Sequence, residues 1–308
     1  MRAKVSIIGA GNTGATTAHW LAELAIADLV LIDIVEGLAQ GKALDLQQAM
    51  PVLGRDIKIR GGTEYELTAG SDVIVITAGL PRKPGMSRDD LLAANAEIVR
   101  QAALNTLRYS PEAIYIVLTN PLDVMTYLVM KVTGLAPHRV FGQAGILDST
   151  RMATFVAEEL GVSVENVHCY VLGGHGDEMV PLTAISNVAG VPLNQILPQE
   201  KLEAIVERTR KGGGEIVSLL KVGSAYYAPG IAVAKMVEAV LRDRHLIAPV
   251  SAYLRGEYGL HDLYFGVPAQ LGRSGVEKVI EYPLTESEKE ALKRSAASVA
   301  ENIAKLKF

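Results

Sequence analysis

Three glycines after the first apolar run constrain this chain more than any other feature. Gly9, Gly11 and Gly14 form a G-x-G-x-x-G sequence between a predicted strand at residues 3–8 and a predicted helix at residues 14–24. In such a unit the first glycine makes the tight turn, the second lets the backbone approach a pyrophosphate and the third lets helix and strand pack closely. The helix N-terminus then offers unpaired amides to the anion. The run predicts a dinucleotide-binding turn, although glycine turns also occur there without a ligand.

An acidic residue stands where such a turn expects one. Asp33 ends the next predicted strand, which starts at Leu29, and lies 19 positions beyond Gly14. A carboxylate there accepts hydrogen bonds from ribose hydroxyls and repels a 2′-phosphate, so it favours NAD over NADP. A turn or helix-capping aspartate is also common at strand ends. Strand, glycines, helix, strand and acid together favour the dinucleotide interpretation.

The first half of the chain alternates apolar runs with segments of helical periodicity. The runs are β-branched and continuous, as expected for parallel strands that are covered on both faces. The runs lie at residues 3–8, 29–33, 72–77 and 113–118, and the helical segments at residues 14–24, 37–50 and 89–107. This repeated βαβ order predicts an α/β fold, a doubly wound parallel sheet with ligands at the carboxyl ends of its strands.

The pattern changes after about Gly145. Helical patterns cover residues 148–160, 199–221 and 286–306, and strand-like segments lie near residues 248–254 and 265–271. This half is typical of an α+β domain, so we predict a dinucleotide-binding domain at residues 1–145 and a substrate and catalytic domain at residues 146–308. We expect the halves to pack closely around a cleft. Nothing in the sequence explains the three consecutive glycines at residues 212–214.

Composition and charge limit the classes of protein and partner. Lys plus Arg is 30 and Asp plus Glu is 34, a formal net charge of −4 that is spread along the chain and argues against nucleic-acid binding. The 49% hydrophobic fraction excludes general disorder. No apolar run approaches the ~20 residues that span a bilayer, and glycines interrupt the first run too early for a signal peptide. The single cysteine, Cys169, reads as a buried thiol and fits a reducing compartment, so we expect a cytoplasmic protein.

One histidine has surroundings unlike the others. His175 lies among Gly173, Gly174 and Gly176 after an apolar run, and glycines on both sides of an imidazole let a substrate approach closely. The alternative is a loop histidine with a structural hydrogen bond. We assign structural roles to the other five histidines, which are His19, His138, His168, His245 and His261.

A carboxylate and a guanidinium open the next predicted helix. Asp148 and Arg151 are three positions apart, which places them on one helix face. They form either a surface ion pair worth well under ~1 kcal/mol or a divided pair, in which Asp148 orients a histidine and Arg151 binds a carboxylate bidentately. Spacing alone does not choose between these.

A stiff basic segment follows the strand at residues 72–77. Residues 78–88 combine prolines and glycines with Arg82, Lys83 and Arg88. Over a ligand site, such a segment predicts a lid that closes on an anion, excludes water and strengthens the charge interactions inside. A solvated basic loop is the alternative.

At these residues the sequence resembles the lactate/malate dehydrogenase family, over essentially the whole chain. It looks most like the bacterial malate dehydrogenases that are similar to lactate dehydrogenases. The motifs that carry the resemblance are residues 9–14, Asp33, residues 81–88, Thr119–Asn120–Pro121, residues 147–151 and residues 173–178. The resemblance implies a Rossmann sheet, NAD as the cofactor, a small dicarboxylate (malate or oxaloacetate) as the substrate, and a homodimer or homotetramer.

The resemblance also implies a role for each site residue. His175 would give a proton to the ketone oxygen of oxaloacetate as NADH delivers hydride, and would take it back in malate oxidation. Asp148 would hold the imidazole and favour its protonated form. The substrate-binding residues would be Arg82, Arg88, Asn120 and Arg151, with Arg151 on the carboxylate beside the reacting carbon and Arg88 polarising the carbonyl. The cofactor-binding residues would be Gly9, Ala10, Gly11, Asn12, Thr13, Gly14, Asp33, Asn95, Leu118, Thr119 and Asn120.

Substrate choice would depend on Arg82. Lactate dehydrogenases usually carry glutamine at that lid position, whereas a cation there would pair with the second carboxylate of a dicarboxylate. A charge-assisted hydrogen bond is worth roughly 1.5–3 kcal/mol, and an unpaired ion in a closed site would add to the discrimination against pyruvate. Ala225 stands where lactate dehydrogenases tend to have threonine, and its smaller side chain would leave room for the larger substrate. We therefore expect an NAD-dependent malate dehydrogenase activity.

Three alternatives stay open. A lactate or other 2-hydroxyacid dehydrogenase requires Arg82 to point away from the substrate. A non-catalytic dinucleotide-binding regulator would need only the glycines and Asp33, with His175 there by coincidence. An NAD-dependent glycosidase would call for a metal site, and we expect no metal because the sequence has no convincing Cys/His ligand cluster.

Overall fold

The apolar runs of the first half form parallel strands at the centre of the molecule. The structure, a computed structural model, describes residues 2–80 and 87–308, and for Arg88 the backbone only. All side chains of β4 and β5 are buried, because helices cover both faces of the sheet. The strands of this half are β1 (Ala3–Ile8), β2 (Ala27–Ile32), β3 (Ile59–Gly62), β4 (Val73–Ile76), β5 (Ile114–Val117) and β6 (Val140–Gly142).

Helices connect these strands. They are α1 (Asn12–Leu24), α2 (Leu38–Leu53), α3 (Arg88–Tyr109) and α4 (Leu122–Thr133). A capping box starts α3: Ser87 Oγ accepts a hydrogen bond from Asp90 N at 3.0 Å, and the Asp90 carboxylate accepts one from Ser87 N at 3.1 Å. This capping box fixes where α3 begins.

The order of the parallel strands is β3-β2-β1-β4-β5-β6. Ile8 at the end of β1 pairs with Ile32 of β2 on one side and with Ile76 of β4 on the other. The order reverses between β1 and β4, and ligands bind at such a reversal outside the carboxyl ends of the strands. The predicted doubly wound Rossmann sheet is confirmed.

The second half adds helices and antiparallel strands. Its helices are α5 (Gly145–Leu160), α6 (Leu193–Ile196), α7 (Gln199–Leu220), α8 (Tyr227–Leu241) and α9 (Glu286–Ile303). Its strands are β7 (Val167–His168), β8 (Val171–Leu172), β9 (Val180–Pro181), β10 (Asn187–Val188), β11 (Val191–Pro192), β12 (Leu246–Arg255), β13 (His261–Gly272) and β14 (Gly275–Val279). In the described parts of the chain, no helix combines the length and apolarity that a membrane crossing requires.

The two halves share one sheet and one core. Ser251 of β12 pairs antiparallel with Gly142 of β6, so that β12, β13 and β14 extend the central sheet to nine strands among the described residues. A single apolar cluster contains Val5 of β1 together with Val250 of β12 and Val267 of β13. The predicted boundary at residues 145/146 falls directly after the first residue of α5, and the division into two domains stays a prediction.

Candidate active site

Backbone geometry requires two of the three glycines where β1 passes into α1. Gly9 has a φ of 101°, and a Cβ atom on it would lie 2.7 Å from the Ala78 nitrogen. A Cβ atom on Gly14 would lie 1.9 Å from the Gly9 carbonyl oxygen, so only a glycine lets the helix start against the turn. Gly11 has open space beside it and caps α1 without a hydrogen bond from any described side chain. The first amides of α1 therefore face a space that an anion can fill.

Asp33 follows β2 directly, and its carboxylate faces this turn. Oδ2 accepts a hydrogen bond from Ala10 N at 2.7 Å, and Oδ1 accepts one from Val35 N at 3.0 Å. A carboxylate offers about four acceptor positions, so capacity remains for ribose hydroxyls. Lys42 of α2 donates from Nζ to the Ala10 carbonyl oxygen at 2.7 Å. The sequence analysis missed this cation beside the turn because a single lysine in a helix is not a motif.

Asn95 joins the segments that follow β4 and β5. Its Oδ1 accepts from Leu80 N at 2.7 Å, and its Nδ2 donates to the Asn120 carbonyl oxygen at 2.8 Å. Thr119 Oγ1 donates to the Ala78 carbonyl oxygen at 2.7 Å. Asn95 and Thr119 are buried and bond to backbone, so in this structure they position the two segments.

His175 lies in the loop after β8, and its imidazole is hydrogen-bonded to the Asp148 carboxylate. Nδ1 is 2.8 Å from Asp148 Oδ2, while Asp148 Oδ1 accepts from Arg151 Nη1 at 3.3 Å. The side chains of Asp148 and Arg151 are only 3% and 9% exposed, so this is not the surface ion pair that spacing left open. With Nδ1 donating to Asp148, Nε2 is left to exchange a proton with a substrate.

Charges around His175 favour its protonated form. Burial lowers the pKa of His175, but the carboxylates of Asp148 and Asp123 outweigh this effect and hold the pKa above its ordinary value. The Arg151 guanidinium acts in the opposite direction. An imidazole with a raised pKa keeps its proton to higher pH than an ordinary histidine, which suits a proton donor.

Three distant elements hold the backbone of the His175 loop. The contacts are Gly173 N to the Gly266 carbonyl oxygen of β13 at 2.9 Å, Gly174 N to Ser295 Oγ of α9 at 2.9 Å, and His175 N to Asp123 Oδ2 of α4 at 3.0 Å. The sequence analysis missed Ser295 and Asp123, because contacts between residues this far apart leave no local pattern.

A cavity of about 250 Å³ brings several of the predicted residues together beside the imidazole. It is lined by Thr13, Leu118, Asn120, Gln143, Leu147, Arg151, His175, Gly213, Val217, Ser224, Ala225 and Pro229. The glycine turn follows β1, and Asp33 follows β2. Asn12, at the start of α1, is exposed. The arrangement brings a residue of the glycine turn, a partly buried imidazole and a guanidinium around one space.

Helix α7 carries the three unexplained glycines and packs against Arg151. A Cβ atom on Gly212 would lie 2.3 Å from Arg151 Cδ and 2.8 Å from its Nε, whereas a Cβ atom on Gly214 would meet nothing within 4 Å. Gly213 lines the cavity. The first two glycines therefore make room for Arg151 and for the cavity, and nothing in the structure explains the third.

Arg82 and the side chain of Arg88 lie outside the described residues, as does the segment at residues 81–86. The described chain ends before this segment at Leu80, which Asn95 holds, and resumes at Ser87, which caps α3. The expected lid and the expected role of Arg82 in substrate choice stay predictions.

One surface cluster could hold a metal ion. The ligand atoms of Asp243, His245 and Glu277 lie within 4.8 Å of one another. His245 Nδ1 is bonded to Glu277 Oε2 at 2.8 Å, and none of the three residues lines the cavity beside His175. The cluster has no place in the chemistry of that cavity.

Comparison with known proteins gives consistent matches over the full chain. Residues 3–142 match the family model of the lactate/malate dehydrogenase NAD binding domain, and residues 146–307 match that of the lactate/malate dehydrogenase alpha/beta C-terminal domain. The chain is 58% identical to a malate dehydrogenase of Thermomicrobium roseum, over 100% of this chain and 99% of that protein.

Two solved structures illustrate the likeness in fold. The malate dehydrogenase of Picrophilus torridus in its apo form superposes with a TM-score of 0.96 at 49% identity, covering 99% of this chain and 97% of that one. A lactate dehydrogenase of Cryptosporidium parvum complexed with lactic acid and NAD gives a TM-score of 0.96 at 41% identity, covering 99% and 98%. The same fold therefore occurs in enzymes named for malate and for lactate. The fold by itself does not identify the substrate.

Proposed function

The chain belongs to the lactate/malate dehydrogenase family, and from this premise we propose that it oxidises malate to oxaloacetate reversibly, with NAD as the cofactor and His175 as the proton-transfer residue. The observation that carries the proposal is the partly buried contact between His175 Nδ1 and Asp148, with Arg151 on the other oxygen of the same carboxylate. The identity to the malate dehydrogenase of Thermomicrobium roseum supports the choice of substrate.

His175 moves the proton. In malate oxidation the neutral Nε2 accepts the proton of the 2-hydroxyl group, and in oxaloacetate reduction the protonated imidazole returns it to the ketone oxygen. Asp148 keeps the imidazole oriented and stabilises its positive charge. NAD, when bound, supplies the hydride acceptor, and NADH supplies the donor.

The cofactor would be held where β1, β2 and β5 end. The free face of the glycine turn suits the pyrophosphate, and Asp33 suits the ribose hydroxyls while repelling a 2′-phosphate. Leu118 and Asn120 line the cavity beside His175 and would flank the nicotinamide. Asn95 and Thr119 would act by holding the segments on which these contacts depend.

Arg151 would bind the substrate carboxylate next to the reacting carbon. Its contact with Asp148 uses Nη1 at 3.3 Å, and a guanidinium has five N–H donors in all, so donors remain for a bidentate contact. Arg88 would polarise the carbonyl and Arg82 would pair with the second carboxylate. The sequence pattern of the expected lid supports these two roles. If the cofactor binds first and the lid closes last, the mechanism is ordered.

Initial rates of NADH oxidation with oxaloacetate and with pyruvate test this function. We expect kcat/KM to favour oxaloacetate strongly. A preference for pyruvate would retain the mechanism and replace the substrate, in line with the related lactate dehydrogenase fold. No oxidation with either acid, in protein shown to bind NADH, would overturn the proposed reaction.

The assembly and setting follow from the same resemblance. A homodimer or homotetramer is proposed, in the cytoplasm, with malate and oxaloacetate as metabolites of the tricarboxylic acid cycle. Light scattering coupled to size-exclusion chromatography measures the assembly directly, and a monomer at micromolar concentration would contradict it.

A further inference from the structure

Asp123 is a buried carboxylate for which the proposed reaction has no use. It lies in the first turn of α4 and is 4% exposed. Oδ2 accepts a hydrogen bond from His175 N at 3.0 Å, and Oδ1 accepts one from Ser251 Oγ at 2.6 Å. The residue thus contacts the backbone of His175, whereas Asp148 of α5 contacts its imidazole.

The hydrogen bonds fit a charged carboxylate. A backbone N–H can only donate, so Oδ2 must accept. The Ser251 hydroxyl lies 2.6 Å from Oδ1 and donates to it when the carboxylate is ionised. Each oxygen of the charged form therefore has a hydrogen-bond donor.

This charge has no arginine or lysine partner among the described residues. Asp148 forms an ion pair with Arg151 at 3.3 Å. The charged group that acts on Asp123 is instead the imidazole of His175. A buried carboxylate is costly unless a cation or donors compensate it. The imidazolium of His175 provides that compensation only while it is protonated.

We propose that Asp123 is a positioning residue whose buried negative charge, together with Asp148, keeps His175 protonated and whose hydrogen bond holds the His175 backbone in place. The role rests on the proposed function of His175 as proton donor. Substrate reduction would then depend on two carboxylates, one at Nδ1 and one behind the loop.

The pKa values of Asp123 and His175 depend on each other. Burial raises the pKa of Asp123, while the hydrogen bonds from Ser251 and the His175 amide and the charge of His175 lower it in part. In return Asp123 raises the pKa of His175, in the same direction as Asp148 and against Arg151. The charges of Asp148, Asp123 and Arg151 thus all act on the imidazole.

Asp123→Asn separates charge from shape. The amide oxygen can still accept from His175 N and the amide nitrogen can donate to Ser251 Oγ, so the contacts remain while the charge is lost. In a histidine-selective NMR titration of the substrate-free protein, with His175→Gln identifying the resonance, we expect the midpoint for His175 to move to lower pH than in the parent.

Kinetics give a second readout. Reduction needs protonated His175, so kcat/KM for oxaloacetate should start to fall at lower pH in Asp123→Asn, with a several-fold loss on the alkaline side. Oxidation needs neutral His175, so malate turnover should extend to lower pH. NADH affinity should be unchanged, because Asp123 does not contact the glycine turn.

Ser295→Ala is the matched control. It removes the hydroxyl that accepts from Gly174 N at 2.9 Å, so it loosens the same loop without changing a charge. We expect a lower kcat and an unmoved titration midpoint. If Asp123→Asn does not fold, Asp123→Ser provides a second neutral variant.

A midpoint for Asp123→Asn that stays at the parent value, with kcat lowered equally at every pH, would overturn the proposal and leave Asp123 a purely structural residue. The titration does not require turnover. If the parent protein does not reduce oxaloacetate, the proposed function is refuted. The titration still shows whether Asp123 affects the protonation of His175.

Discussion

At the scale of single residues, the contact between His175 Nδ1 and Asp148 at 2.8 Å confines proton transfer to Nε2. One nitrogen is used for orientation and the other for chemistry. The same geometry explains why the other histidines lack this role, since a catalytic imidazole needs both a partner carboxylate and access to the cavity.

Replacing His175 with alanine should nearly abolish turnover in both directions. General acid–base catalysis contributes roughly 100- to 10,000-fold, so we expect a loss of that order in kcat, measured by NADH absorbance. NADH binding, followed by fluorescence, should remain. His168→Ala, a change at an exposed histidine of β7, should behave like the parent, and parent-like turnover in His175→Ala would refute the assignment.

The raised pKa of His175 predicts opposite pH dependences for the two directions. Oxaloacetate reduction uses the protonated imidazole, so its kcat/KM should hold above the ordinary histidine value of about 6.5 and decline as pH rises further. Malate oxidation uses the neutral form and should increase over the same range. Rate profiles in both directions measure this, and a decline in reduction that begins below the ordinary histidine value would contradict it.

Arg82→Gln should lower the preference for oxaloacetate over pyruvate by orders of magnitude. Glutamine cannot pair with a second carboxylate, and the unpaired cation that rejects pyruvate is lost as well. The ratio of the two kcat/KM values measures the effect. Lys83→Gln removes the same charge from the neighbouring position and should leave the ratio nearly unchanged; an unaltered ratio in Arg82→Gln would place specificity elsewhere.

At the scale of elements, α7 contributes to the site because it has no side chain at Gly212, where Arg151 packs against it. A Cβ atom on Gly212 would lie 2.3 Å from Arg151 Cδ, so Gly212→Ala must displace the arginine side chain. We expect KM for oxaloacetate to rise roughly tenfold, since a misplaced binding group is costly, with NADH affinity unchanged.

Gly214→Ala is the control for that prediction. It lies in the same helix with nothing within 4 Å of the added atom, and replacing a helical glycine with alanine stabilises by roughly 0.5–1 kcal/mol. We expect an unchanged KM and a slightly higher melting temperature. Equal KM values for both variants would show that Gly212 does not position Arg151.

Elements with a clear sequence period could be predicted, and elements without one could not. The strands β1, β2, β4 and β5 are continuous β-branched runs, and they appear within about two residues of the predicted bounds. The sequence analysis missed β3 and β6, which are short and contain glycine. It also missed α4, because residues 122–130 of this helix are all buried and the alternation with a polar face is lost.

The site divides in the same way. The sequence predicts the glycine turn, Asp33, Asp148, Arg151 and His175 as site residues because each lies in a local motif. The contacts of Asp123 and Ser295 with the His175 loop and of Gly212 with Arg151 join positions far apart in the chain. Tertiary packing alone creates them, so one sequence cannot predict them.

At the scale of the whole molecule, the shared sheet and a shared apolar cluster predict that the two halves unfold together. β12 pairs with β6, and the apolar cluster contains side chains from both halves. Cooperative unfolding is expected where one core spans the chain.

Leu254→Ala should destabilise the entire molecule. Leu254 in β12 is 0% exposed, and a buried leucine truncated to alanine costs about 2–5 kcal/mol. In urea unfolding, Trp20 fluorescence, which reports on α1 in the other half, should shift together with the far-ultraviolet circular dichroism. Ile247→Ala, on the same strand but 51% exposed, should change the midpoint little, and two separate transitions would contradict a single unit.

The space that Gly212 leaves for Arg151 also has an evolutionary meaning. Because a side chain at position 212 would overlap the space that Arg151 occupies, the effects of substitutions at the two positions should depend on each other. A side chain at position 212 should weaken substrate binding while residue 151 is arginine and should have little effect once residue 151 is shorter. The order in which the two positions change therefore determines how much binding each step costs.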